Sequence, residues 1–167
     1  KKFILFDDTV DYAKGGFVFS HRDIRFRAQI PDPCPIPALG DAEVVPLAIV
    51  PFDQVLAYDR TCFPAFRPTF LADWISQPDA LALGYLHDGQ LSGYGVIRRC
   101  VEGCKIGPLF ADGTPIAQAL FAHLAGFAAG GPLFLDTPEN NPAALDLARQ
   151  QQMIEVFGCA RMYLGPT

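Results

Sequence analysis

The chain has 167 residues, half of them apolar and 19% charged, with a formal net charge of −5. This length supports one domain with a genuine core, and the composition excludes the disordered class. The acidic balance argues against nucleic acid as a partner, and no apolar run reaches the ~18 residues of a membrane span.

In chain order, residues 3–6 (Phe, Ile, Leu, Phe) read as a strand, followed by a short polar turn of helix and Gly15-Gly16-Phe17. Residues 17–27 read as a hairpin: Val18 and Phe19 are strand formers, and Ile24-Arg25-Phe26-Arg27 alternates apolar with charged. Pro31, Pro33, Pro35 and Pro37 forbid a helix and cannot donate to a sheet, so this stretch is an extended linker. A strand is expected over 44–50, irregular or at an edge because of Pro46. Helices are expected over 52–60 and 68–76, the second with Phe70, Leu71, Trp74 and Ile75 at helical spacing and a stop at Pro78.

Strands over 81–86 and 91–97 are joined by His87-Asp88-Gly89-Gln90, where Asp88-Gly89 signals the turn. A strand over 105–110 leads through Ala111-Asp112-Gly113-Thr114-Pro115 into a helix. Its apolar face is Ile116, Leu120, His123, Leu124 and Phe127, and Gly130-Gly131 end it. A strand over 133–136 follows. Asn141 is then an N-cap with Pro142 at the first helical position, and Ala144, Leu145 and Ala148 form the buried stripe. A closing hairpin ends at Ala160-Arg161-Met162-Tyr163. Strands alternating with helices after an initial hairpin predict an α/β fold with a mixed sheet.

Five cysteines at irregular spacing, with no leader-like segment ahead of them, lead to the expectation of a reducing, cytoplasmic setting. Cys100 and Cys104 lack a second Cys/His pair at ligand spacing, so they read as ordinary buried thiols and no metal is expected. A faint internal echo is also present. Residues 16–28 superpose without gaps on 152–164 at a constant interval of 136, with Arg25 and Arg161 the one identity.

Several short motifs together resemble the GNAT superfamily of N-acetyltransferases, and in particular the second half of tandem-GNAT proteins. They are Tyr58-Asp59-Arg60, Phe63-Pro64, Arg67, Phe70-Leu71 with Trp74, Gly93-Tyr94-Gly95, and 105–112 with its Ile106-Gly107-Pro108-Leu109-Phe110. Leu135-Asp136, Pro138, Asn141 and Arg161-Met162-Tyr163 complete the set. The opening Tyr12-Ala13-Lys14-Gly15-Gly16-Phe17 and His21-Arg22-Asp23-Ile24-Arg25-Phe26 look like the end of a first GNAT unit. The resemblance therefore implies three parts: residues 1–28 as the tail of an upstream unit, 29–43 as a proline-rich linker and 44–167 as a GNAT-like domain. It also implies that the chain is a piece of a longer tandem protein.

The implied activity is acetyl-CoA-dependent N-acetylation of a small amine or amino-acid-like acceptor. The alternative is a non-catalytic, degenerate GNAT-like domain for metabolite binding or subunit pairing. The chemistry requires proximity, a base for the amine, an oxyanion donor and an acid for the departing thiolate. The resemblance assigns cofactor contacts to Leu109, Phe110, Gly113, Ala117 and Asn141. It assigns an acceptor wall to Asp59, Arg60 and Arg67, for which an ion pair fastening helix to helix is the other reading. The superfamily's diphosphate loop, Arg/Gln-x-x-Gly-x-Gly/Ala, falls on Asp112-Gly113-Thr114-Pro115-Ile116-Ala117, where only Ala117 fits.

The other reading of that loop is a plain helix start, capped by Asp112 or Thr114. The superfamily's general-acid tyrosine falls on Ala148, whereas Tyr12 occupies the matching place in the upstream tail. His123 reads as a core histidine and His87 as a solvated turn residue. Glu102 and Asp136 are the carboxylates best placed for chemistry, with capping before Asn140-Asn141 as the plainer role for Asp136. A small-molecule acceptor is the expected partner, with no nucleic acid and no membrane. A homodimer or packing against an upstream GNAT domain is the expected association.

Overall fold

The computed structural model describes residues 2–4, 9–35 and 43–165. The fold is α/β, with a mixed, mostly antiparallel sheet flanked by helices, as the alternation of elements predicts. The expected strand positions Leu5 and Phe6, and Pro37 of the linker, lie outside the described residues. The chain divides into two compact units, one of Lys1–Ala28 with Phe134–Thr167 and one of Gln29–Leu133.

The first unit holds β1 (Lys2–Ile4), α1 (Thr9–Lys14), β2 (Phe17–Gln29), most of β7 (Pro132–Pro138), α5 (Pro142–Gln150) and β8 (Ile154–Leu164). Its strands run in the order β1-β8-β2-β7. Two expectations are corrected here. Neither 17–27 nor the closing segment is a hairpin; each is one long strand, and the two pair antiparallel with each other. The pairing shifts register between Phe19 and His21 and between Arg25 and Phe26, as bulges do in long antiparallel strands.

The pairing also gives the internal echo a geometric meaning. Asp23 faces Cys159, which lies 136 residues away, so this pair is its own counterpart under the echo. On either side Arg25 faces Phe157 and His21 faces Arg161, which are again echo counterparts. Each strand is preceded by a helix, α1 or α5, and the order β1-β8-β2-β7 interleaves two strand–helix–strand copies about that point. Ala160 and Met162 are buried under Tyr12 and Phe17, whose rings meet edge to face at 5.5 Å. In α5, Leu147 joins Ala148 as the buried pair, and Ala144 and Leu145 are half-buried.

The second unit holds β3 (Glu43–Pro46), α2 (Phe52–Cys62), α3 (Pro68–Ile75), β4 (Ala80–His87), β5 (Gln90–Arg99), β6 (Cys104–Ala111) and α4 (Thr114–Ala125). Its strands run β6-β5-β4-β3, with the described pairings antiparallel. The strand expected over 44–50 stops at Pro46 and continues as a 3-10 turn, Leu47–Ile49. Asp88 and Gly89 both take positive φ, 50° and 73°, as a two-residue β-hairpin turn requires. Leu47, Val50, Val55, Tyr58, Leu71, Leu91, Tyr94 and Val96 form one buried cluster. Helix α4 presses Ile116 and Leu120 against Gly93 of β5, where a Cβ would come within 2.9 Å of Ile116. Only a hydrogen on that α-carbon lets helix and strand approach so closely.

Candidate functional site

Helix α2 buries Val55, Tyr58 and Asp59, which share one face at helical spacing. A carboxylate on that stripe must be paired. Asp59 is 1% exposed, and its two oxygens accept from Arg67 Nη2 at 2.6 Å, Arg67 Nε at 3.0 Å and the Tyr94 hydroxyl at 2.6 Å. Burial pushes the Asp59 carboxyl up. The hydrogen bonds from Arg67 and Tyr94, with the Arg67 charge, outweigh it and hold the group below the usual carboxylate range. The same bond to Asp59 raises Arg67 further. The ion pair therefore fastens α2 to the residue that opens α3. The neighbouring Arg60 donates to the Pro64 carbonyl.

Two tyrosines extend this group to the strands. Tyr94 lies edge-on to Tyr58 at 6.2 Å and to Phe110 at 5.5 Å, opposite which it pairs across β5 and β6. The Tyr58 hydroxyl donates to Asp112 Oδ1 at 2.8 Å and lies 3.1 Å from the Ser92 carbonyl. Both phenols are raised above their ordinary value, first by burial and then by the carboxylate each one serves, so both stay protonated donors. On the other side, the Trp74 indole N–H donates to the Gly107 carbonyl at 3.0 Å. There Gly107-Pro108 bulges out of β6 opposite Val96, between the pairs Gly95↔Leu109 and Ile97↔Ile106. Tyr94, Tyr58 and Trp74 carry no sequence signal as polar partners. The one available clue is Asp59 itself, a charge on an apolar helical stripe.

The loop at the start of α4 corrects the expected capping. The N-cap is Gly113, with extended backbone at φ −166°, and no side chain caps the helix. Asp112 is held by Tyr58 instead. The first N–H groups of a helix have no acceptor inside it and suit a diphosphate. Here Pro115 removes one of them, and Asp112 places a negatively charged residue just before the helix. The space over Gly113 is open, with Pro115 Cδ the nearest atom to a built Cβ at 3.8 Å. An open backbone alone does not make a cradle, and the residues present do not fit the coenzyme diphosphate. Leu109 and Phe110 are half-buried on β6.

In the first unit Tyr12 is half-buried on α1, its ring packed on Phe17. Ala148 is fully buried. Asn141 caps α5, its side chain accepting from the Ala144 N–H at 3.1 Å. Asp136 does not cap that helix; both its oxygens take Arg25, at 2.8 and 2.9 Å. In the second unit His123 is half-buried, with Nδ1 2.8 Å from the Ala119 carbonyl. His87 sits in its turn beside Asp88, and Glu102 is exposed in the β5–β6 turn. Among the described residues no three His, Cys, Asp or Glu side chains gather as metal ligands, and no helix is long and apolar enough to cross a membrane.

A strand–helix order of this kind, with a bulged β6 running into α4, defines an acetyltransferase-type α/β fold. The chain belongs to the acetyltransferase (GNAT) domain family, which it matches over residues 55–167. It is similar to the holothin acyltransferase of Pseudoalteromonas sp. (strain SANK 73390), at 24% identity over 160 residues, covering 93% of this chain and 52% of that protein. Among solved structures, a candidate acetyltransferase from Pyrococcus horikoshii superposes with a TM-score of 0.76 at 25% identity, over 99% of this chain and 52% of that one. A tandem GNAT protein from the clavulanic acid biosynthesis pathway shares the fold, with a TM-score of 0.67 at 14% identity over 97% of this chain and 60% of that one. The chain thus spans about half the length of these relatives.

Proposed function

We propose that this chain is the acceptor-side half of an acetyl-CoA-dependent N-acetyltransferase acting on a small amine, and that its own α4 loop does not hold the coenzyme. The observation that carries this reading is the entry to α4 itself: Pro115 removes one of the N–H groups a diphosphate would use, and Asp112, held by Tyr58 at 2.8 Å, sets a negative charge just before the helix. Family membership over 55–167 supports transfer as the chemistry. The interleaved copies β1-α1-β2 and β7-α5-β8 support a tandem protein, in which the diphosphate falls to an upstream unit. In that arrangement Tyr12 is the proton donor to the departing thiolate, since Ala148 has no proton to give.

Titration calorimetry with acetyl-CoA tests the division of labour. No heat at millimolar coenzyme with this chain, together with acetyl transfer by the full-length protein, is the expected result. Micromolar binding to this chain overturns the reading of the α4 loop. A full-length protein that transfers nothing to any amine overturns the enzymatic reading and leaves a degenerate binding domain.

A further inference from the structure

Around the Asp59–Arg67 pair the formal charges are occupied by one another. The Asp59 carboxylate is buried under three donors, and the Nε–Nη2 edge of the Arg67 guanidinium points into it. Arg60 is turned onto the Pro64 carbonyl. The buried Asp59 is thereby taken up inside the protein and is not offered to a cationic substrate group.

Aromatic surface faces solvent instead. Phe63, Phe66 and Phe70 are 37%, 68% and 48% exposed. The Arg67 guanidinium lies 3.7 Å from the centre of the Phe63 ring and 5.2 Å from that of Phe70. Phe70 in turn stacks on Trp74 at 5.3 Å and 18°. Phe63, Arg67, Phe70 and Trp74 therefore form a run of flat π surfaces, and the Asp59 fork holds its central plane in place. Single exposed apolar residues need no explanation, whereas a contiguous aromatic patch marks a binding surface. This one is linked by contact to the strands through Asp59, Tyr94 and Phe110.

Building on the acceptor-side reading above, we infer that the acceptor of this wall is an amine carried on an aromatic body, recognised by stacking on Phe63, Phe66 and Phe70 rather than by charge. A flat ring gains contact with the phenylalanines and with the guanidinium face.

Trp74 is the one tryptophan of the chain and stacks on Phe70, so its fluorescence reports occupancy directly. The probes are 2-phenylethylamine and ethylamine, titrated into this chain without coenzyme. The ring is expected to tighten binding by at least about 10-fold. Phe66→Ser, at a position too exposed to unfold the chain, is expected to abolish that preference with the thermal melt unchanged. Equal affinities for the two amines, or a preference that survives Phe66→Ser and Phe63→Ser alike, overturns the inference. So does a dimer in sedimentation velocity that Phe66→Ser dissolves while 2-phenylethylamine fails to bind, because the patch then serves a second copy. The outcome separates from that for transfer. A ring preference with no acetyl transfer by the full-length protein sinks the enzymatic reading alone. Transfer to ethylamine as efficient as to 2-phenylethylamine sinks the aromatic one alone.

Discussion

Replacing Arg67 by Met removes both N–H donors, at 2.6 and 3.0 Å, from a carboxylate that is 1% exposed, and keeps much of the side-chain volume. Breaking one side of a buried pair strands a charge in a poor solvent and typically costs about 3–5 kcal/mol. Tyr94→Phe deletes one hydrogen bond to the same oxygen that Arg67 Nη2 serves, for which about 1.5–3 kcal/mol is expected. The pair Asp59→Leu with Arg67→Met leaves no charge to strand, so it should recover about half or more of the single-variant loss. The effect carries a pH signature. In the wild type the Asp59 carboxyl lies below its unfolded value, so its stabilisation is present above about pH 3.9 and is lost as the pH falls further. In Arg67→Met the guanidinium no longer opposes burial, the carboxyl rises, and the penalty grows with pH above about 3.9. Both trends shrink the difference between the two proteins in acid. Urea unfolding at about pH 7 and about pH 4, followed by Trp74 fluorescence and by circular dichroism, measures it. A cost under about 1 kcal/mol at neutral pH, or one unchanged in acid, would refute the argument.

Gly93→Ala places a methyl 2.9 Å from both the Phe110 carbonyl oxygen and Ile116, so a loss of about 1–3 kcal/mol is expected in thermal melts. Gly113→Ala, with nothing nearer than 3.8 Å, should stay within about 0.5 kcal/mol of wild type. Arg25→Met breaks a half-exposed fork onto Asp136 and should cost only about 0.2–1 kcal/mol, less at high salt; a loss as large as that of Arg67→Met would contradict the burial argument. In the full-length protein Tyr12→Phe keeps the ring on Phe17 and is expected to lower kcat by roughly 10²–10⁴ with stability intact. Ala148→Ser should cost about 1–3 kcal/mol in stability, because its hydroxyl enters a fully buried site, and should restore no transfer.

Much of the architecture was legible in the residues because it rests on local chemistry. Asp88-Gly89 announced its turn through the positive φ that both residues adopt, and Asn141-Pro142 announced the start of α5 through a capping oxygen and a pre-set φ. Runs over 81–86 and 91–97 around that turn gave the β4–β5 hairpin, and 105–110 gave β6 almost to the residue. Tertiary pairing decided the rest. Residues 17–27 carried strand formers and alternation but nothing to say which strand they pair with. Only β8, arriving from 136 residues away, supplies the partner that keeps them one strand. Asp59 and Arg67 were visible as a charged group beside Phe63. An ion pair fastening helix to helix was one of the two readings of that group, and it is present; what no spacing along the chain encodes is Tyr94, which reaches Asp59 from β5. Phe70, Leu71, Trp74 and Ile75 stand at helical spacing, yet Leu71 is buried and Phe70 is exposed. Periodicity identifies the face of a helix, but whether anything covers that face depends on elements distant in sequence, and side-chain burial is a property of the assembled fold.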